Sequence, residues 1–232
     1  MNKNILIIGG SSGIGQALVE LLQDSNTIFV ANRTSEGIDT QKVNYIKYDA
    51  IEGPLDTSVL PDQLDGFVYC PGSINLRPFK GLKPETFLKD FEINVLGAVK
   101  SLQAVLKNLL ESPQASIVLF STVAVQTGMP FHASVAAAKG AIEGLTRSLA
   151  AEYAPKFRVN TIAPSITDTP LANKFLNNEV KLEKANERHP LKNIGSAKDI
   201  AHTARFLLSD ESKWMTGQIV HLDGGIGDLK TN

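Results

Sequence analysis

The sequence predicts an α/β fold, a doubly wound parallel sheet of about seven strands with helices on both faces. Three observations carry that prediction. Short runs dense in Ile, Val and Leu alternate with longer helical patterns almost from end to end. Several of those runs lack polar alternation, as central parallel strands covered on both faces do. A glycine-rich turn stands directly between the first run and the first helical pattern. Alternation of this kind builds right-handed βαβ units.

Taken in order, Asn4–Ile8 reads as the first strand and residues 14–24 as the first helix. Strands follow at 27–31, 44–48 and 66–70. Residues 84–110 are expected to form one unusually long helix, because Phe87, Phe91, Val95, Val99, Leu102, Leu106 and Leu109 recur at three- or four-residue intervals. A strand at 116–121 precedes the helix Ala133–Tyr153, whose Ala136, Ala137, Ala138, Gly140, Ala141 and Gly144 permit close approach to the sheet or to another helix. Strands at 158–163 and 218–222 flank a helix at 197–209. Residues 165–195 are the least regular. They read either as a solvated helical excursion or as a lid over a substrate.

At 232 residues the chain suits a single domain, residues 1–232, with a substantial core. Its 43% apolar and 20% charged residues are those of a soluble globular protein. A net charge of −1 with no Lys/Arg block leaves no electrostatic footprint for nucleic acid or an anionic membrane. The lone Cys70 has no partner for an internal disulfide, and no Cys/His cluster has metal-ligand spacing. Neither a signal peptide nor an apolar stretch of roughly 18 to 20 residues is present. The expectation is a cytoplasmic protein that acts on a small molecule.

The first strand ends in Gly9-Gly10-Ser11-Ser12-Gly13-Ile14-Gly15, where helix formers begin. Glycines there allow a tight turn and let the backbone approach a pyrophosphate, while the helix start favours the anion. This points to a Rossmann-type dinucleotide site; the alternative is a structural turn. The second strand ends Asn32-Arg33. A cation at that edge favours a 2′-phosphate where an acidic residue would repel it, so NADP(H) is expected over NAD(H), unless Arg33 is only a solvated surface residue.

With these residues the sequence resembles the short-chain dehydrogenase/reductase family along essentially its whole length. Gly9, Gly13 and Gly15 match that family's TGxxxGxG pattern, with Ile8 where threonine is usual. Cys70-Pro71-Gly72 stands in place of its Asn-Ala-Gly, and Asn94 matches its helix asparagine. Arg158-Val159-Asn160, Ala163-Pro164, Thr216-Gly217-Gln218 and Asp223-Gly224-Gly225 match its later signatures, although Ser165 replaces a glycine. The resemblance implies that Gly9, Ser11, Ser12, Gly13, Ile14, Gly15, Asn32, Arg33, Asp49, Gly72, Lys139, Pro164 and Thr169 hold the cofactor. Asp49 would meet the adenine and Thr169 the nicotinamide carboxamide. A homodimer or homotetramer is implied as well. For Ile8 and Cys70, a polar tie between the turn and the fourth strand is expected to be replaced by packing.

The family's chemistry uses a serine, a tyrosine thirteen residues later and a lysine four after that. Counted back from Lys139, those places hold Val135 and Thr122. Tyr45, Tyr48, Tyr69 and Tyr153 are the only tyrosines, and none occupies the required place. A tyrosine beside an ammonium has its pKa lowered toward working pH and can protonate a forming alkoxide, which valine cannot do. His132 precedes Lys139 by seven residues, the spacing of the active tyrosine in the related enoyl reductases, and is either a substitute acid or a capping histidine. Cys70 reads as a structural thiol rather than a nucleophile. Asn94, Thr122, Lys139 and His132 are thus the catalytic candidates. Two functions stay open: an NADP(H)-dependent oxidoreductase of a carbonyl, alcohol or imine with a non-standard proton donor, and a catalytically impaired NADP(H)-binding regulatory or scaffold protein.

Overall fold

Alternating apolar runs become the sheet. The computed structural model describes residues 2–230. In it β1 (Asn4–Ile8) turns into α1 (Gly13–Leu22), and β2 (Thr27–Asn32), β3 (Asn44–Lys47) and β4 (Gly66–Tyr69) follow. Next come α2 (Pro84–Phe91), α3 (Gly97–Ala104), α4 (Leu106–Glu111), β5 (Ala115–Phe120), α5 (Ala124–Thr127), α6 (Ala133–Tyr153) and β6 (Phe157–Pro164). The remainder is β7 (Thr167–Asp168), α7 (Asn173–Leu176), α8 (Glu179–Arg188), β8 (Gly195–Ser196), α9 (Ala197–Leu208) and β9 (Ile219–Leu222).

The main sheet has seven strands in the order β3-β2-β1-β4-β5-β6-β9, all parallel. The chain leaves β1 toward β2 and β3, then returns on its other side as β4, so the direction of winding reverses between β1 and β4. Ligands of open α/β sheets bind at the carboxyl ends of strands beside such a reversal. Alternate residues of β1 serve two cores. Leu6 and Ile8 join Val95, Leu102 and Ile142 on one face, while Ile5 and Ile7 join Leu18, Ile200 and Leu207 on the other. Each fully buried Leu or Ile contributes about 1.5–3 kcal/mol relative to an exposed one.

Two expectations change. The helix expected over 84–110 is broken: α2 passes through a π-helical turn at Glu92–Leu96 into α3, and Val105 (φ −111°, ψ 9°) separates α3 from α4. At the π turn the Asn94 side chain donates to the carbonyl of Asp90 at 2.7 Å, competing with the backbone ladder. Residues 165–195 are more ordered than their sequence suggests. They hold α7, α8 and a two-strand parallel pair of β7 with β8.

Ile8 belongs to one core, while Cys70 packs against the other. Their link is backbone: the Cys70 amide donates to the Ile8 carbonyl at 3.0 Å.

Candidate active site

A cavity of about 360 Å³ opens at the carboxyl ends of β1, β2 and β4. Gly9, Ser11, Ser12, Gly13, Ile14, Gly15, Asn32, Arg33, Asp49, Gly72 and Thr169 all line it. The turn is tight because a Cβ at Gly15 would overlap the carbonyl oxygen of Gly9. Ser12 occupies the N-cap of α1 without a side-chain cap, and no acidic residue stands in the first turn. Amides there have no internal partner and sit at the positive end of the helix dipole, a ready anion site.

At the β2 end, Asn32 Nδ2 donates to Ser11 Oγ at 2.6 Å and to the Thr34 carbonyl at 3.1 Å, bracing the glycine turn. Arg33 is exposed at the rim and makes no ion pair among the described residues. Asp49 Oδ1 accepts from the Ile51 amide at 2.9 Å. Thr169 Oγ1 donates to the Thr167 carbonyl at 3.3 Å. Pro164, at the end of β6, is not a lining residue; its carbonyl accepts from the Val123 amide at 3.0 Å.

Three elements meet at Gly72. An ideal Cβ built there falls 3.0 Å from Asn94 Oδ1 and 3.4 Å from Lys139 Nζ, so a side chain at Gly72 would press on both. Lys139 projects from α6 and is 8% exposed. Burial lowers its ammonium to about 8, and Cys70 and Asp90 oppose that fall. Burial pushes the Cys70 thiol up to about 12, with Lys139 pulling against it, so the thiol stays protonated at neutral pH and is a poor nucleophile.

One turn before Lys139, Val135 is 5% exposed and packed inward. Every tyrosine hydroxyl with a resolved partner is committed elsewhere: Tyr45 to the Asn32 carbonyl, Tyr48 to Ser101 and Tyr69 to the Ile93 carbonyl. Tyr153 stacks on Phe157 at 4.6 Å. Thr122 is half-buried beyond β5, and its Oγ1 accepts from the Ala124 amide at 3.4 Å. The neighbouring Ser121 turns toward α6, donating to Glu143 at 2.7 Å.

His132 is the N-cap residue of α6, and its Nδ1 lies 2.7 Å from the Pro130 carbonyl. A carbonyl only accepts, so Nδ1 carries the proton and Nε2 of the neutral ring is bare.

Sequence reasoning missed a polar group on α2. Asp90 is wholly buried, and its Oδ1 accepts from Ser73 Oγ at 2.5 Å and Asn75 Nδ2 at 2.6 Å. Ser73 Oγ in turn accepts from Asn94 Nδ2 at 2.9 Å. The available signal was an acidic residue three after Phe87 and four before Asn94, within an otherwise apolar stripe.

Among the described residues no cluster of three or more His, Cys, Asp or Glu could hold a metal ion, and no helix is long and apolar enough to cross a membrane.

Residues 56–227 match the family model described as enoyl-(acyl carrier protein) reductase. The chain is 30% identical over 240 residues to a 2,5-dichloro-2,5-cyclohexadiene-1,4-diol dehydrogenase of Sphingobium indicum, covering 96% of each. It is 35% identical over 154 residues to the peroxisomal 2,4-dienoyl-CoA reductase of Saccharomyces cerevisiae, covering 66% of this chain and 52% of that one. A gluconate 5-dehydrogenase of Burkholderia cenocepacia, solved with NADP and tartrate, shares the fold at TM-score 0.90 and 22% identity, covering 99% and 97%. With a reversing parallel sheet, a glycine turn at its switch point and dehydrogenases and reductases for relatives, the chain belongs to the short-chain dehydrogenase/reductase family.

Proposed function

We propose that this chain is an NADP(H)-dependent oxidoreductase that works without a tyrosine beside its lysine. The observation that carries the reading is the convergence of Asn94 and Lys139 on Gly72, a residue that also lines the glycine-rich cavity. The uncapped start of α1 suits a pyrophosphate, Arg33 a 2′-phosphate, Asp49 the adenine and Thr169 the nicotinamide end, with Lys139 at the ribose. A bound nicotinamide supplies or accepts the hydride. NADP is bound in the structure of the gluconate dehydrogenase that shares this fold.

Val135 occupies the place the family gives to tyrosine. A positioned acid is worth roughly 10² to 10⁴ in rate, so its loss bears on the substrate. For a carbonyl or imine, Thr122 polarises the acceptor, the Lys139 ammonium stabilises the charge forming on it, and Asn94 Oδ1 holds water that delivers the proton. His132 can donate from Nε2 only as an imidazolium, because Nδ1 is committed to Pro130.

A second substrate class, a conjugated enoyl thioester, is favoured by the same valine. Hydride adds at the β-carbon, the alkene electron pair shifts toward the carbonyl as an enolate, and a proton from water then closes the α-carbon. That first step needs charge stabilisation at oxygen rather than an acid. The matching family description and the dienoyl-CoA reductase relative support this reading.

Purified protein with NADPH should reduce at least one member of a panel of ketones, imines and enoyl thioesters, and Lys139→Ala should abolish it. Val135→Tyr should raise ketone reduction by about 10²-fold or more if only the acid is missing. NADPH binding without turnover of any panel member, in parent and Val135→Tyr alike, would overturn the proposal.

We infer further that the chain forms a homodimer or homotetramer. Leu88, Phe91 and Leu96 are exposed along α2 and its π turn, and Trp214 stands exposed after α9.

A further inference from the structure

Asp90 is a carboxylate shut away from solvent on α2, where the nearby inward residues Val95 and Ala98 are apolar. An unpaired buried charge costs several kcal/mol, so its neighbours carry information. Its carboxylate only accepts hydrogen bonds, so the single hydroxyl proton of Ser73 is committed to it, at 2.5 Å. Ser73 Oγ must then meet the amide NH₂ of Asn94 rather than its oxygen, at 2.9 Å. The Asp90 main-chain carbonyl takes the other Nδ2 proton at 2.7 Å. Both amide protons are spent, and Asn94 Oδ1 is left buried without a partner, facing Gly72 and, beyond it, Lys139.

We propose that Asp90 is a positioning residue of this site: through Ser73 it sets the Asn94 amide with its oxygen toward Lys139, and it supports the Lys139 charge from α2, the helix packed against α6. The charges facing Lys139 from packed elements are Cys70, at the end of β4, and Asp90 from α2. Cys70 is a neutral thiol at physiological pH, so the negative charge is that of Asp90. On α6 itself Glu143 is engaged by Ser121 at 2.7 Å and lies 3.7 Å from Arg147. With Val135 in place of a tyrosine, the site meets a developing oxyanion with Thr122, the Lys139 ammonium and water that can donate to Asn94 Oδ1, and Asp90 organises the last two.

This assignment rests on the oxidoreductase reading for its kinetic consequences but not for its titration. Protein reductively methylated with ¹³C-formaldehyde is titrated by NMR, the Lys139 resonance being identified by its loss in Lys139→Arg. Asp90→Asn should lower the Lys139 midpoint by about half a unit to one unit, and Asp90→Glu should return it toward the parent value. Should Asp90→Asn not fold, as judged by circular dichroism, Ser73→Ala carries the test: it leaves the charge and frees the amide. Ser73→Ala should keep the Lys139 midpoint and lower kcat about tenfold. An unmoved midpoint in folded Asp90→Asn, a Glu variant that behaves like the Asn variant, or a Ser73→Ala enzyme with parental kcat would each overturn the assignment. A shifted midpoint in a protein that turns over nothing keeps Asp90 in its role and removes the oxidoreductase reading; turnover with an unmoved midpoint does the reverse.

Discussion

At the scale of single residues, Lys139 bears directly on stability. Its folded ammonium titrates near 8 against an unfolded value of 10.5, because burial disfavours the charge. The unfolded chain therefore binds more protons between those two pH values, and stability rises as pH climbs through that window. Below about pH 8 the folded protein carries the full cost, about 3 kcal/mol from the difference in pKa. Lys139→Met should recover up to about 3 kcal/mol at pH 7 in urea denaturation, and the gain over the parent should shrink above pH 8 and vanish near 10.5. A variant no more stable than the parent at pH 7 would show that the ammonium is better solvated than its burial implies. Lys139 and Asn94 stand out in the sequence as candidates because they match a known pattern, and the structure brings both to Gly72. Asp90 and Ser73 do not, since their significance lies in a hydrogen-bonded chain between α2 and the loop after β4, far apart in sequence.

Among the elements, the seven strands of the main sheet were legible to within a residue or two because most are dense in Ile, Val, Leu and Phe, whereas the two-residue β7 and β8 carry no such signal. The helix over 84–110 was misread for a definite reason. Apolar residues keep their three- and four-residue spacing through the π turn, so periodicity does not register the extra residue that Asn94 stabilises. Arg158 shows the opposite case, a residue recognised by resemblance whose work is structural. Its guanidinium, 7% exposed, donates to the carbonyls of Leu207, Ser209 and Met215 and to Ser212 Oγ, at 3.0 to 3.2 Å. The donor fork thus satisfies carbonyls at the C-terminus of α9 and complements the negative end of its dipole. Removing it strands several buried acceptors. Arg158→Ala should cost about 3 kcal/mol in thermal or denaturant unfolding, while a loss under about 0.5 kcal/mol would mean that water replaces the fork.

The whole molecule carries apolar surface that its own fold does not cover. Leu88 is 68% exposed on α2 and Trp214 is 97% exposed after α9, at separate places in the chain order. Scattered single apolar residues are ordinary, but Leu88 and Phe91 stand three apart on one helix face, and Leu96 extends the same segment. A stable protein–protein interface needs about 800 Å² from each partner, which a helix pair together with its flanks can supply. The α2 segment also bears Asp90 and Asn94, and α2 packs closely against α6, which bears Lys139. A second copy seated on α2 would hold the candidate site residues as well as hide the leucine. In sedimentation velocity at micromolar concentration the parent should therefore run as a dimer or tetramer, and Leu88→Glu should shift it toward single protomers with a lower kcat. Trp214→Glu should at most reduce a tetramer to a dimer and leave kcat in place, because Trp214 belongs to a different segment, after α9. A parent that sediments as one protomer at tens of micromolar would remove the interface and leave the exposed α2 face to some other partner.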